Sequence, residues 1–361
     1  MMVKSKILTT TAIAALAIAG TFSIQPAAAQ SPAEFYKGKT VTFLVPYPPG
    51  GSYDAYARLF AGHMGKYIPG KPSIIVQNMG GGGGTKGTNY SYRSGAKDGT
   101  FLLWPFDAYA TASLLNPKRV KYDPTKFTSL GSVVPVNPVV MARAGAPAKS
   151  IKAIKNTEVV VGCTGRNSQS FIMPAMQKYF LGLKYKLICG YKGSAPLTLA
   201  LERGEVDIQS SAWISWRIRH ADRISKGELT PLVQVGLARE KELPNLPLMQ
   251  ELTSDPKAQA VLKFVSGGSA IGRSIATPPG VPADRIAALR SAFNKTVKDS
   301  GLLADAKKRR ALIQPKTGEV VQQIVLNILK ASPDIVKEAK AAWSQKPGKC
   351  QVNCKKKKKK K

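Results

Sequence analysis

Four glycine-rich or small-residue loops carry the residue types that could do chemistry in this chain: Gly50-Gly51-Ser52, Gly80 to Thr85, Thr164 to Ser168 and Gly193-Ser194. Each stands where a β-branched or apolar run gives way to a helical pattern. Such a loop presents backbone N–H groups at a helix N-terminus, where they have no intrahelical acceptor and the helix dipole adds positive potential. That is a seat for an oxyanion, and missing side chains let the backbone approach it closely. One loop alone is as readily a tight turn. Four at strand ends point to ligand capture, because ligands of open α/β sheets sit beyond the carboxyl ends of the strands.

Other chemistries lack their signatures. The two histidines, His63 and His220, have no second histidine or cysteine at metal-ligand spacing, so no metal site is expected. His63 falls on the apolar stripe of a helical pattern, where a packed imidazole is the expected reading. No G-x-S-x-G nucleophile elbow occurs. Gly82, Gly84 and Gly87 satisfy G-x-G-x-x-G, but five consecutive glycines do so by composition, and no acidic residue follows about 20 positions on in a clear strand. Lys86-Gly87 reverses the order a phosphate-binding P-loop needs. No cofactor is expected. An enzyme would have to be built on Lys192 or Asp207 without supporting context.

The elements that must hold these loops alternate. Val41 to Val45 reads as a strand, Ser52 as an N-cap, and Tyr56, Leu59, Phe60, His63 and Tyr67 as a helix face. Further strands are expected at 73–77, 100–104, 158–163, 185–189, 205–210 and 232–237. Helices are expected after Ser168, over 195–203, 282–298 and 319–330. This alternation predicts an α/β fold with mainly parallel sheets covered by helices.

The chain has 361 residues, 43% of them hydrophobic, which excludes a wholly disordered protein and suggests two domains. Its 54 Lys and Arg against 21 Asp and Glu give a net charge of +33, so an anionic partner is expected. Lys4 and Lys6, the apolar stretch Ile7 to Ile18 and Ala27-Ala28-Ala29 have the layout of a cleaved signal peptide over 1–29. Export permits disulfides. Cys163 and Cys189 each end a strand-like run, and the alternatives of a bridge or two buried thiols stay open; Cys350 and Cys354 stand beside the lysine run Lys355 to Lys361.

The segments VTFLVPYPPGGSYDAYAR (41–58), VQNMGGGGGTKGTN (76–89), KDGTFLL (97–103), GYKGSAPLTLALERGEVDI (190–208) and TPPGVPADRIAALRSAFNK (277–295) resemble, in order, the periplasmic solute-binding proteins of the tripartite tricarboxylate transporter family, also called the Bug family. The resemblance implies a two-lobed, type II-like periplasmic binding protein. Lobe 1 would hold 30–105 plus 240–343 and lobe 2 would hold 106–239, with a basic disordered tail over 344–361. It implies a non-enzymatic, monomeric receptor in the periplasm that captures a di- or tricarboxylate or an aromatic acid for membrane transporter subunits, with no nucleic acid partner. Carried over residue by residue, the ligand set is Pro48, Gly50, Gly51, Ser52, Gly82, Gly83, Gly84 and Thr85, facing Thr164, Gly165, Ser168, Gln169, Lys192, Gly193, Ser194 and Ser211. The chain departs from the family at Pro48-Pro49, at Arg166-Asn167 and at Ser210-Ser211, where an acidic residue able to meet a ligand amine is common; an amino-acid ligand is thereby disfavoured. Trp104, Phe106, Tyr109, Trp213 and Trp216 would either suit an aromatic acid or pack in the core. The alternative reading is an exported binder of polyanions such as nucleic acid or cell-wall polymer.

Overall fold

The computed structural model describes residues 30–344 and the backbone strand Gly348–Lys349. The expected signal peptide, Cys350, Cys354 and the lysine run lie outside the described residues.

Two six-stranded sheets make two lobes. In chain order the strands are β1 (Thr40–Val45), β2 (Ser73–Asn78), β3 (Phe101–Leu103), β4 (Thr128–Ser132), β5 (Pro138–Arg143), β6 (Val159–Cys163), β7 (Tyr185–Cys189), β8 (Ile208–Ala212), β9 (Leu229–Gln234), β10 (Ser274–Thr277), β11 (Lys316–Thr317) and β12 (Gly348–Lys349). The first sheet runs β11-β4-β10-β3-β1-β2 and the second β12-β7-β6-β8-β5-β9. β1 pairs in parallel with β2 and β3, and β6 with β7 and β8, as βαβ units require. The strand TVTFLV, rich in β-branched and aromatic residues, buries Val41, Phe43, Leu44 and Val45, and Phe43 stacks on Trp104.

Both sheets also contain antiparallel strands, and the chain path explains them. The chain leaves the first sheet after β4, enters the second at β5, and returns from β9 to β10. Outgoing and returning passes lie side by side, so β4 pairs antiparallel with β10 and β5 with β9. Hydrogen bonds from Val133 N to Arg273 O and from Arg273 N to Val134 O tie the passes together. β4 thus belongs to the first sheet, and the chain changes lobes between Ser132 and Pro138 rather than at 105/106. β12 pairs with β7, so Gly348 and Lys349 are strand, not the expected disordered tail. The helix Pro333–Trp343, expected in lobe 1, packs against the helices Pro256–Ser266 and Tyr109–Leu115 as well as against Gln169–Leu181 beside the second sheet.

Boundaries differ from the sequence expectation most at two strands, and one helix cap is displaced. The strand expected at 205–210 begins at Ile208, because the Glu205 and Val206 amides turn back to Ala200 O. The strand expected at 232–237 is Leu229–Gln234, and Leu237 is exposed. Gly51, not Ser52, is the N-cap of the helix Ser52–Met64.

Cys163 and Cys189 are register partners at the ends of β6 and β7, with Cα atoms 4.4 Å apart, and they form a disulfide. It closes a loop of 26 residues in sequence separation. Replacing both by alanine should lower the unfolding free energy by about 3 kcal/mol, the chain-entropy value for a loop of that size, measured by denaturant titration.

Candidate functional site

The first loop is held rigid before it meets anything. Gly50 adopts φ +90°, which only glycine takes without strain, and its N–H donates to Asp54 Oδ2 at 3.1 Å. Arg58 Nε and Asn78 Nδ2 also donate to Asp54. Burial pushes the Asp54 carboxyl up, but these bonds outweigh it and hold the group below the usual carboxylate range. Asp54 is therefore a brace for the loop.

Ser52 Oγ, freed from capping, accepts from Arg273 Nη2 at 2.9 Å. Arg273 is 2% exposed. Its Nη1 lies 3.4 Å from Asp107 Oδ2 and its guanidinium stacks 3.6 Å from the Tyr53 ring centroid. The Asp107 amide donates to Tyr53 Oη at 2.8 Å. Burial raises the Asp107 carboxyl above its ordinary value, and Arg273 pulls it back. A charge this deep is retained only when paired and hydrogen-bonded.

From the second lobe come Thr164, Ser168 and Gln169, with Lys192, Gly193, Ser194 and Ser211. With Pro48, Gly51, Ser52, Asp107 and Arg273 they line a cavity of about 230 Å³ between the lobes. The helices Ser52–Met64, Gln169–Leu181 and Ser194–Glu202 all begin here without a side-chain cap. Away from the cavity, the helices opened by Asp255, Asp299, Thr317 and Ser332 each have one, whereas Ala283–Thr296 and Thr85–Ser94 do not. Three uncapped N-termini around one hollow make it attractive to an anion. Gln169 and Gln209, both lining this cavity, form no side-chain hydrogen bond, nor do Ser210 Oγ and Arg273 Nε.

The second glycine loop has a different place. Gly82 and Gly83 line an adjoining hollow of about 550 Å³, which shares Pro48, Thr164, Lys192 and Gly193 with the first. Gly50, Gly84, Thr85 and Gly165 line neither. A Cβ on Gly83 would lie 2.6 Å from Ser168 N, and one on Gly165 would lie 2.8 Å from Gly83 N, so these glycines allow the two lobes' loops to touch. Gly84 abuts the Phe106 ring. Thr85 Oγ1 donates to Gly82 O and accepts from Asn167 Nδ2, while Asn167 Oδ1 accepts from Asn116 Nδ2. Gly51 and Ser52 on the one hand and Gly80 to Gly83 on the other therefore line neighbouring hollows rather than one cradle.

Trp104, Phe106, Tyr109 and Trp216 are fully buried and, with Trp213, pack away from the cavity; the aromatic residues lining it are Tyr47 and Tyr53. His63 sits between Asp299 and Asp305, at 3.2 and 3.0 Å. Asp207 accepts from Val160 N and Arg143 Nη2 and lies outside the cavity. Among the described residues no group of His, Cys, Asp and Glu could hold a metal ion, and no helix is long and apolar enough to cross a membrane.

Sequence reasoning missed Arg273, Asp107, Tyr53 and Gln209. A lone arginine immediately before the apolar run of β10 was the one available signal.

Comparison with known proteins agrees with this fold. Residues 57–308 match the family model described as tripartite tricarboxylate transporter family receptor. The protein BugT of Bordetella pertussis is 30% identical over 248 residues, covering 66% of this chain and 73% of BugT. The structure of the periplasmic binding protein BugD superposes with a TM-score of 0.68 at 24% identity, covering 85% of this chain and 98% of BugD. MatC of Rhodopseudomonas palustris with bound malate superposes with a TM-score of 0.64 at 22% identity, covering 84% and 99%. These are solute-binding proteins rather than enzymes, and the chain belongs to the tripartite tricarboxylate transporter family of receptors.

Proposed function

We propose that this receptor captures a small organic carboxylate in the Arg273 cavity and delivers it, from the periplasm, to transporter subunits in the membrane. The observation that carries the reading is Arg273 itself: a buried guanidinium among the residues lining the cavity, beside three uncapped helix N-termini. Lys192 adds a second positive charge, and Asp107 offsets one, so the lining favours an anion. A volume of about 230 Å³ suits a metabolite-sized acid; drug-sized pockets run from roughly 300 Å³ upward. One chain supplies every lining residue, which fits a monomer. Malate in MatC is consistent with this chemistry.

The lobes supply the cycle. Loops of both lobes meet at Gly83 and Ser168, and hinge closure around a ligand would bury the acid between them. No bond is made or broken.

A thermal-shift screen of citrate, malate, succinate, adipate and benzoate tests the proposal. An acid at 100 times its Kd should add about 2.7 kcal/mol to the unfolding free energy and raise the midpoint. If no acid moves the midpoint while heparin or DNA does, the polyanion reading replaces this one.

A further inference from the structure

We infer that Arg166 is a positioning residue of the binding site: clamped to Trp343, it holds the second lobe's 164–168 loop in place against the first lobe. Thr164 and Ser168 of that loop line the cavity and Arg166 does not, so it acts through its neighbours. Only the effect on acid affinity rests on the carboxylate reading above.

The clamp joins residues 177 positions apart. The Arg166 guanidinium carbon lies 4.5 Å from the Trp343 ring centroid and 5.0 Å from that of Phe171, distances at which a cation is drawn to an aromatic ring. Arg166 Nη2 donates to Trp343 O, and Trp343 Nε1 donates back to Arg166 O at 2.9 Å. Side chain and backbone of both residues are thus engaged. Lysine could not take this place, because its ammonium is a point charge with neither a planar face nor a fork of donors.

The loop transmits the hold because it is bonded to itself. Ser168 N and Ser168 Oγ both donate to Gly165 O, Thr164 Oγ1 donates to Ser168 Oγ at 2.9 Å, and Thr164 N donates to Ser170 Oγ at 3.0 Å. Moving Arg166 therefore moves Thr164 and Ser168 with it.

Trp343 gives the loop a reference in the other lobe. It ends the helix Pro333–Trp343, which also packs on Tyr109–Leu115, the helix between β3 and β4 of the first sheet. The next loop residue reaches the same lobe directly: Asn167 Nδ2 donates to Thr85 Oγ1 at 2.8 Å. Arg166 and Asn167 thus tie one cavity loop to the first lobe by routes independent of the two chain passes between the sheets.

Amide hydrogen exchange on the unliganded full chain, and calorimetric titration with citrate, malate, succinate, adipate and benzoate, test this. In Arg166→Lys and in Trp343→Leu, peptides over 160–175 should exchange at least tenfold faster, and the acid that binds the wild type should bind at least fivefold more weakly. Trp343→Phe, which keeps an aromatic face, should stay within about twofold of wild-type affinity. Combining Arg166→Lys with Trp343→Leu should lose no more than the larger single loss, because both remove the same contact. Wild-type affinity in Arg166→Lys would make the charge and not the clamp the contribution, and additive losses would make the two residues independent; either result overturns the inference. Unchanged exchange over 160–175 overturns it as well. If none of the five acids binds the wild type, the carboxylate reading fails and the exchange result alone decides the inference.

Discussion

Arg273→Met should remove acid binding and destabilise the protein at the same time, through two separable causes. The cavity loses its buried positive charge, so affinity for any carboxylate should fall at least a hundredfold, and the acid-induced thermal shift should vanish. Asp107 meanwhile stays buried with its partner gone, and breaking a buried pair from one side costs about 3–5 kcal/mol. The pH dependence follows from the sign of the Asp107 shift. Burial raises this carboxyl and Arg273 restrains it, so without Arg273 it rises further. A carboxyl whose folded pKa exceeds its unfolded value costs stability as pH climbs past the unfolded value and up to the folded one. The variant's deficit should be smaller at pH 5 than at pH 8. Adding Asp107→Asn should recover most of the stability and none of the acid affinity. Chemical denaturation at the two pH values and calorimetry check both. If the double variant regains binding, the guanidinium is structural only.

Gly83→Ala should weaken ligand capture by more than tenfold without filling the main cavity. Gly83 has φ +69°, so any side chain strains the backbone by about 1–2 kcal/mol. The added Cβ would also lie 2.6 Å from Ser168 N and 3.0 Å from Asn167 C, which are backbone atoms of the opposite lobe. They can yield only if the lobes part. Gly82→Ala separates the two effects. Gly82 has φ +59° and incurs similar strain, but its Cβ would meet nothing closer than Thr85 Cβ, at 3.5 Å. It should lose comparable stability and at least ten times less affinity. Equal losses from both substitutions would place the effect in backbone strain rather than in closure.

The contrast between these two positions shows what the sequence could and could not convey. The loops were legible because local rules create them: glycine and small residues between a β-branched run and a helix expose free backbone amides, and four such loops at strand ends point to ligand capture. Gly51, Ser52, Thr164, Ser168, Gly193 and Ser194, from those loops, line the main cavity, as do Pro48, Gln169, Lys192 and Ser211, which the family resemblance supplied. What those rules leave undetermined is which loop faces which hollow. Gly83 and Gly165 are glycines because two backbones meet there, and that contact lies between segments about 80 residues apart. Arg273 was illegible for the same reason on a larger scale. It lies 221 residues from Ser52 and 166 from Asp107, and only the return pass from β9 to β10 brings them together. Gln209 looks like an ordinary strand residue until its amide proves to be unpartnered.

The antiparallel strands follow the same logic. Periodicity identified strands and helices segment by segment and predicted parallel βαβ units, which are present. It carries no information about two chain passes between lobes running in opposite directions, and those passes set the orientation of β4, β5, β9 and β10. The late lobe boundary, between Ser132 and Pro138, has the same origin.

The central claim is that an acid is held inside, by Arg273 and backbone amides, and not on the basic surface. Titration of the tightest-binding acid at about 0.05 M and at about 0.5 M salt tests it most directly, because exposed charges are screened within a Debye length and buried ones much less. The account predicts a Kd that changes by less than about threefold. A weakening of tenfold or more, as counterion release produces when a polyanion is held by surface lysines, would contradict it.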